Sequence, residues 1–143
     1  MKQVTFITGN QNKADYLAKY LGVEVEHVKL DLDEIQSLDL EEVVRHKVRQ
    51  AYAQVNRPVL VEDVSLEFHA LGLLPGTFIK WFLEELDSQQ LADLLKGKND
   101  RSATGRCMFG YFDGTNEAYI AGEIRGTITE KPSGGNGFGW DNI

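Results

Sequence analysis

The spacing of apolar and polar positions in the first half of the chain predicts strands that alternate with helices. An apolar run predicts a first strand over residues 3–8, and a helical pattern follows over residues 12–21. Gly22 closes this helix because glycine readily adopts the left-handed conformation that ends helices. Residues 24–30 then read as a second strand. This order is typical of an α/β fold with parallel strands.

A longer helix is predicted from Asp39 to about Val55. The stretch Asp39-Leu40-Glu41-Glu42 has the form of a capping box, in which the first and fourth side chains each hydrogen-bond the other's backbone amide. Arg57-Pro58 ends the helix, since proline lacks the amide proton a helix needs. Residues 59–61 follow as a short buried strand that ends at Glu62-Asp63.

The rest of the chain predicts two short helices and then a hairpin. The helices cover about residues 78–86 and 88–95, the second with Ser88 as its N-cap. Residues 103–112 and 117–124 form an antiparallel hairpin around the turn 113–116, which residues 125–129 continue. A glycine-rich aromatic loop over residues 131–141 follows. We therefore expect one α/β domain with an elongated mixed sheet flanked by helices.

Composition sets limits on location and partners. No apolar run approaches the ~20 residues of a membrane span, and one cysteine among 143 residues excludes an internal disulfide framework. We expect no signal peptide, because the N-terminus is short and charged. We expect a cytoplasmic protein in which Cys107 is a core side chain rather than a nucleophile. A net charge of −7 argues against binding to long nucleic acid. It allows a small polyphosphate held by local lysines and a divalent cation.

The turn after the first strand has the composition of an anion-binding loop. Thr8 and Asn10 offer side-chain donors, Gly9 allows close backbone approach, and Lys13 supplies charge. The following helix would point its free N–H groups and positive dipole end into the same gap.

Two acidic segments are candidates for metal binding or catalysis. Asp63 follows a buried strand, where open α/β sheets place ligands. The adjacent Glu62 would face the other way, so only one of the pair serves a given site. A loop-capping role is the alternative for Asp63. Glu34 lies among three acids in four residues and suits a magnesium ligand, although a solvated acidic loop explains it too.

Two lysines occupy apolar surroundings. Lys47 shares the inward stripe of its helix and either reaches the surface or has an anionic partner. Lys80 follows the Pro75-Gly76 turn among large apolar residues, with an exposed lysine on an amphipathic helix as the alternative. Phe138, Trp140 and Asp141 offer a stacking face and an acceptor for a base, unless the aromatics only fill a core.

These residues together resemble the inosine triphosphate pyrophosphatase family, which has the fold of the Maf/Ham-like superfamily. The resemblance covers essentially the whole chain, as a nucleoside triphosphate pyrophosphatase-like domain over residues 1–143. The matching segments, in chain order, are Thr8–Lys13, Asp31–Gln36, Arg45–Lys47, Val61–Asp63, Pro75–Phe82 and Phe138–Asp141. Such enzymes cleave ITP, dITP and XTP to the monophosphate and pyrophosphate.

The resemblance implies a role for each site residue. Glu34 and Asp63 would hold Mg²⁺, with Mn²⁺ as an alternative, and Asp63 would also orient or deprotonate the attacking water. The triphosphate would be bound by Thr8, Gly9, Asn10, Lys13, Lys47 and Lys80. Phe138, Gly139, Trp140 and Asp141 would frame the purine. The resemblance also implies a homodimer.

Three departures from the family pattern keep other functions open. Val64 replaces a usual Ser or Thr beside the substrate, Asn142 replaces a usual Pro, and the sequence given stops at Ile143, before the family's late lysine and Ser-His-Arg motif. Base selectivity therefore does not follow from the residues present. One alternative is a shortened member that binds nucleotide with weak or no turnover. A second is a pyrophosphatase for modified pyrimidine nucleotides.

Overall fold

The computed structural model describes residues 4–22, 24–135 and 137–143. The strands are β1 (Thr5–Ile7), β2 (His27–Val28), β3 (Val59–Phe68), β4 (Pro75–Gly76), β5 (Ser102–Phe112) and β6 (Glu117–Thr127). The helices are α1 (Gln11–Leu21), α2 (Leu40–Val55), α3 (Ile79–Glu85) and α4 (Ser88–Asp93), with a 3₁₀ turn at His69–Leu71. Gln3 of the predicted first strand and Asn136 of the predicted loop lie outside the described residues. In the part of the chain described, no helix is long and apolar enough to cross a membrane.

The sheet mixes parallel and antiparallel strands. Its order is β2-β1-β3-β5-β6, and β4 pairs with β3 outside this path. β1 runs parallel to both β2 and β3, whereas β3 and β4 are antiparallel. β5 and β6 are neighbours joined by the predicted turn, where the Asp113 amide donates to the Asn116 carbonyl at 3.2 Å. The predicted α/β class with a mixed sheet is confirmed.

The chain folds into two compact units, each with its own apolar core. The first unit contains the described residues up to Asp63 together with Cys107–Ala121, and the second contains Val64–Arg106 and Gly122–Ile143. The first core is formed by Ile7, Leu40, Val44, Val48, Ala51, Val59 and Val61. The second core is formed by Leu66, Phe68, Ile79, Leu91, Ala92, Leu95, Ala103 and Ile128. One domain over residues 1–143 stays a prediction.

The helix ends follow the predicted chemistry in most places. Gly22 ends α1 at φ 65°, a left-handed conformation. The Asp39 carboxylate caps α2 by accepting from the amides of Glu41 and Glu42. The capping box is only half formed, because the Glu42 carboxylate accepts from the Ser37 hydroxyl at 2.6 Å, and that hydroxyl accepts from the Asp39 amide.

The N-cap predicted for α4 is wrong. Asp87 caps this helix and Ser88 is its first residue. Asp87 accepts from the Gln90 amide at 2.8 Å, and the Gln90 side chain accepts from the Asp87 amide at 2.9 Å. Because Gln90 lies three positions after Asp87, only Asp87 completes the reciprocal box.

Predicted strand lengths are also wrong. β1 covers Thr5–Ile7, although its prediction included residues 4 and 8. β2 contains only His27–Val28, because its partner β1 is three residues long and pairs through Phe6 and Ile7. β3 does not end at Glu62-Asp63 but continues to Phe68. Both acids have lysine partners, which offset the cost of placing charge inside a strand. Beyond the two acids, Leu66 and Phe68 are buried and belong to the second core.

Candidate functional site

The loop between β1 and α1 satisfies much of its own hydrogen bonding. The Asn10 amide donates to Thr8 Oγ1 at 3.0 Å. Asn10 Oδ1 caps α1 by accepting from the amides of Asn12 at 3.0 Å and Lys13 at 3.4 Å. The expectation of free N–H groups is therefore wrong for the amides of Asn10, Asn12 and Lys13, because each donates to a side chain of the loop itself. An anion bound here would compete with Thr8 and Asn10 for them.

Gly9 lies beside a cation that sequence reasoning missed. A Cβ built at Gly9 would lie 3.4 Å from the aliphatic carbons of Lys29, an ordinary contact. The folded chain alone therefore does not demand glycine at this position. Lys29 directly follows β2, and parallel β1 precedes Gly9. Because neighbouring parallel strands end at one edge of a sheet, the position of Lys29 directly after the second strand could have predicted its approach to Gly9.

Glu62 anchors Lys13. Lys13 Nζ lies 2.9 Å from Glu62 Oε2, and the Glu62 side chain is only 7% exposed. Cys107 Sγ donates to the other carboxylate oxygen at 3.5 Å. Burial, followed by the charge of Glu62, raises the pKa of the Cys107 thiol to about 12. Such a thiol is a poor nucleophile, as expected, but Cys107 is only partly buried and belongs to neither apolar core, so its placement as a core side chain is wrong.

Lys47 has the anionic partner that was one of its two predicted outcomes. Its Nζ lies 3.0 Å from Asp63 Oδ2 and 3.6 Å from Glu34 Oε1, and its side chain is 16% exposed. Burial acts to lower the pKa of Lys47, but the charge and hydrogen bond of Asp63, with help from Glu34, hold it above its ordinary value. The ammonium therefore stays charged at neutral pH.

Glu34 and Asp63 are brought together through this ammonium. Glu34 lies before α2 and Asp63 within β3, so residues 29 positions apart in the sequence converge on one cation. Within the described ranges, no three His, Cys, Asp or Glu side chains are grouped so as to hold a metal. Two carboxylates suit Mg²⁺, which takes one or two protein carboxylates and completes its shell with water and phosphate.

The remaining predicted residues lie in the second unit. Lys80 is exposed, and its Nζ lies 5.0 Å from the centre of the exposed Trp81 ring, a cation–π contact. Lys80 therefore matches the alternative of an exposed lysine on an amphipathic helix, because α3 turns it toward solvent. Val64 packs against the second core.

The aromatic loop divides into an exposed and a packed residue. Phe138 is 47% exposed. Trp140 is partly buried against the second core, which matches the core-filling alternative. Asp141 Oδ2 accepts from the Phe138 amide at 3.0 Å, so this carboxylate also shapes the loop. Gly139 adopts φ 65°, which favours glycine.

A family model settles the relationship of this chain to known proteins. The model of the Ham1 family matches residues 4–143. The chain belongs to the Ham1 family. The relationship expected from the sequence motifs is thereby confirmed.

Similar proteins agree with this assignment to the Ham1 family. A protein of Pyricularia oryzae named inosine triphosphate pyrophosphatase is 47% identical over 146 residues, covering 99% of this chain and 76% of that protein. Inosine triphosphate pyrophosphatase 2 of Trypanosoma cruzi is 43% identical over 144 residues, covering 99% and 74%. A solved HAM1 protein from Coxiella burnetii has a TM-score of 0.85 at 25% identity, covering 100% of this chain and 81% of its own. The Staphylococcus aureus Ham1 protein has the same fold, with a TM-score of 0.82 at 24% identity, covering 98% and 79%.

In this Ham1 chain, the described part of the first unit contains two lysine–carboxylate groups. One joins Lys13 to Glu62, and the other joins Lys47 to Asp63 and Glu34. Sequence reasoning found both lysines and all three acids, but not which lysine each acid binds. The pairing depends on the packing of α1 and α2, which spacing along the chain does not specify.

Proposed function

We propose that this chain hydrolyses deaminated purine nucleoside triphosphates, such as ITP, dITP and XTP, to the monophosphate and pyrophosphate. Clearance of these nucleotides from the pool would be its cellular role. Membership of the Ham1 family and relatives named inosine triphosphate pyrophosphatase support the substrate class. The observation that carries the mechanism is the convergence of Asp63 and Glu34 on the Lys47 ammonium, at 3.0 Å and 3.6 Å.

The charge pattern suits a metal–triphosphate complex. Glu34 and Asp63 would hold Mg²⁺, or Mn²⁺, through hard carboxylate oxygens. When bound, such an ion lowers the pKa of a coordinated water and offsets phosphate charge. Both carboxylates already contact the Lys47 ammonium, so their oxygens lie beside a bound positive charge.

The side chains of the chain itself would bind phosphate and move a proton. Lys13 and Lys47 carry charge for the triphosphate, and Thr8 and Asn10 add polar contacts from the loop beside Gly9. A water oxygen forms a bond to the α-phosphorus while the bond to the bridging oxygen breaks, and pyrophosphate leaves with that electron pair. Asp63 Oδ would accept the water proton. Stabilising charge on the leaving group is the main contribution of the lysines.

By the family resemblance, Lys80 would bind the triphosphate, and Phe138, Gly139, Trp140 and Asp141 would bind the purine. The Phe138 ring is 47% exposed and would stack on a base. Val64 would offer an apolar contact in place of the Ser or Thr hydroxyl that the family resemblance implies at this position. A homodimer and a cytoplasmic location also stay predictions, and light scattering of the purified chain tests the first.

A substrate comparison tests the proposal. Purified chain is incubated with Mg²⁺ and ITP, XTP, ATP or methylated dTTP, and pyrophosphate and orthophosphate are assayed separately. We expect pyrophosphate from ITP and XTP at a higher rate than from the other two. Faster hydrolysis of methylated dTTP would select the pyrimidine alternative. Calorimetric binding of ITP without turnover, unchanged by Asp63→Ala, would select a binding protein.

A further inference from the structure

The Lys47 ammonium lies between the two carboxylates that are the candidate metal ligands. Its Nζ contacts Asp63 Oδ2 at 3.0 Å and Glu34 Oε1 at 3.6 Å. The Asp63 and Lys47 side chains are 18% and 16% exposed, whereas Glu34 is 43% exposed. An ion pair this sheltered is screened less by water and salt than a surface pair. The chain thus supplies its own cation to these oxygens.

Packing fixes the lysine in this position. Lys47 lies on α2 between Val44 and Val48, both fully buried in the first core. The aliphatic stem leaves a helix that this core holds in place. The ammonium is therefore presented to Asp63 by a rigid element, which limits the entropy lost in forming the pair.

We propose that Lys47 acts as an internal competitor for the divalent cation, so that the metal binds weakly until a nucleotide arrives. The proposal rests on the proposed function for the identity of the metal ligands. Two cations cannot share the same oxygens without strong mutual repulsion. Nucleotide phosphates would give the ammonium another anion to contact, leaving both carboxylates to the metal. Metal and nucleotide would then bind with positive coupling.

Lys13 provides a matched comparison within the same unit. It is also a partly buried lysine in an ion pair, but its partner is Glu62, which is not a candidate metal ligand. Removing the Lys13 charge lowers the positive charge of the region without freeing Asp63 or Glu34. A general electrostatic effect and direct competition therefore predict different results for the two lysines.

Binding of Mn²⁺ alone, followed by electron paramagnetic resonance in the absence of nucleotide, tests the competition. We expect Lys47→Met to bind Mn²⁺ about tenfold tighter than the unmodified chain, since a partly buried charge pair is removed. Lys47→Arg retains the charge and should show no such gain, and Lys13→Met should change affinity far less than Lys47→Met. Adding Glu34→Gln to Lys47→Met should abolish the gain. Equal or weaker Mn²⁺ binding by Lys47→Met, or an equal gain from Lys13→Met, would overturn the proposal.

Folding and turnover are measured separately. Circular dichroism of each variant establishes that it is folded, and Lys47→Gln serves as a second neutral variant with the same expected gain. Pyrophosphate release from ITP by the unmodified chain tests the proposed function independently. Tighter Mn²⁺ binding by Lys47→Met without any ITP hydrolysis by the unmodified chain would support the competition and reject the proposed function. ITP hydrolysis without tighter Mn²⁺ binding by Lys47→Met would support the proposed function and reject the competition.

Discussion

Glu62 and Asp63 occupy adjacent positions of β3, yet their carboxylates bind lysines from different helices. Glu62 lies 2.9 Å from Lys13 of α1, and Asp63 lies 3.0 Å from Lys47 of α2. Successive side chains of a strand point to opposite faces, so an uninterrupted strand separates the two pairs. Because β3 continues through both acids, Glu62 anchors Lys13 while Asp63 pairs with Lys47.

Loss of the Glu62 charge should destabilise the fold. Glu62→Gln keeps the shape of the side chain but leaves the Lys13 ammonium beside a neutral amide at a largely buried position. We expect the free energy of unfolding to fall by about 1–3 kcal/mol, the usual penalty for depriving a buried polar group of its partner. Urea denaturation measures this change. The KM for ITP should rise as well, because Lys13 loses its anchor.

Glu26→Gln is the matched control for Glu62→Gln. Glu26 pairs with Arg57 at 2.8 Å, but the two side chains are 34% and 46% exposed. Exposed pairs contribute about 0–1 kcal/mol. An equal or greater loss of stability in Glu26→Gln than in Glu62→Gln would contradict the role given to the buried pair.

A methyl group at Gly110 should overpack the first core. A Cβ there would lie 2.6 Å from Val44 Cγ1 and 3.4 Å from Val61 Cγ2. Val44 is fully buried and stiff about χ1, so relief requires a shift of α2 or β5. We expect Gly110→Ala to lower the unfolding free energy by about 1–3 kcal/mol. In the control Gly122→Ala, no atom of the described residues lies within 4 Å of the new methyl, and a similar loss there would argue against overpacking.

Cys107 should resist alkylation while the chain is folded. Burial and the nearby Glu62 raise its pKa from 9.0 to about 12, so little thiolate exists at pH 8. The folded state holds the thiol proton more tightly than the unfolded state. The contribution of Cys107 to the free energy of unfolding is therefore fully present below pH 9 and is lost as pH rises toward 12. Iodoacetamide labelling followed by mass spectrometry reports on one site, as the chain has one cysteine. Equal labelling rates at pH 8 in native and urea-unfolded chain would refute this environment.

The parts of the fold set by local chemistry could be predicted from the sequence. Gly22 and Asp39 end and begin helices as expected, because helix ends depend on backbone conformation and nearby amides. The end of β3 could not be predicted in this way. Glu62 and Asp63 look like a strand terminus until their partners are known, and those partners lie 49 and 16 positions away in the sequence.

The candidate site likewise has features that the sequence predicted and features that it did not. The residue types of the candidate phosphate loop and of the candidate metal ligands could be chosen from the sequence, since anions and Mg²⁺ require particular donors. The direction of Lys80 and the caps that Asn10 places on α1 could not, because both depend on local packing and hydrogen-bond competition. Lys29 was missed since its approach to Gly9 follows from strand pairing.

Phosphorus NMR of the products formed from ITP and Mg²⁺ tests the central claim most directly. We predict inosine monophosphate and pyrophosphate in equal amounts, with no early orthophosphate. Asp63→Asn should lower kcat by about a hundredfold or more, the usual contribution of a positioned base, without unfolding the chain. Release of orthophosphate and inosine diphosphate, or undiminished turnover by Asp63→Asn, would contradict the account.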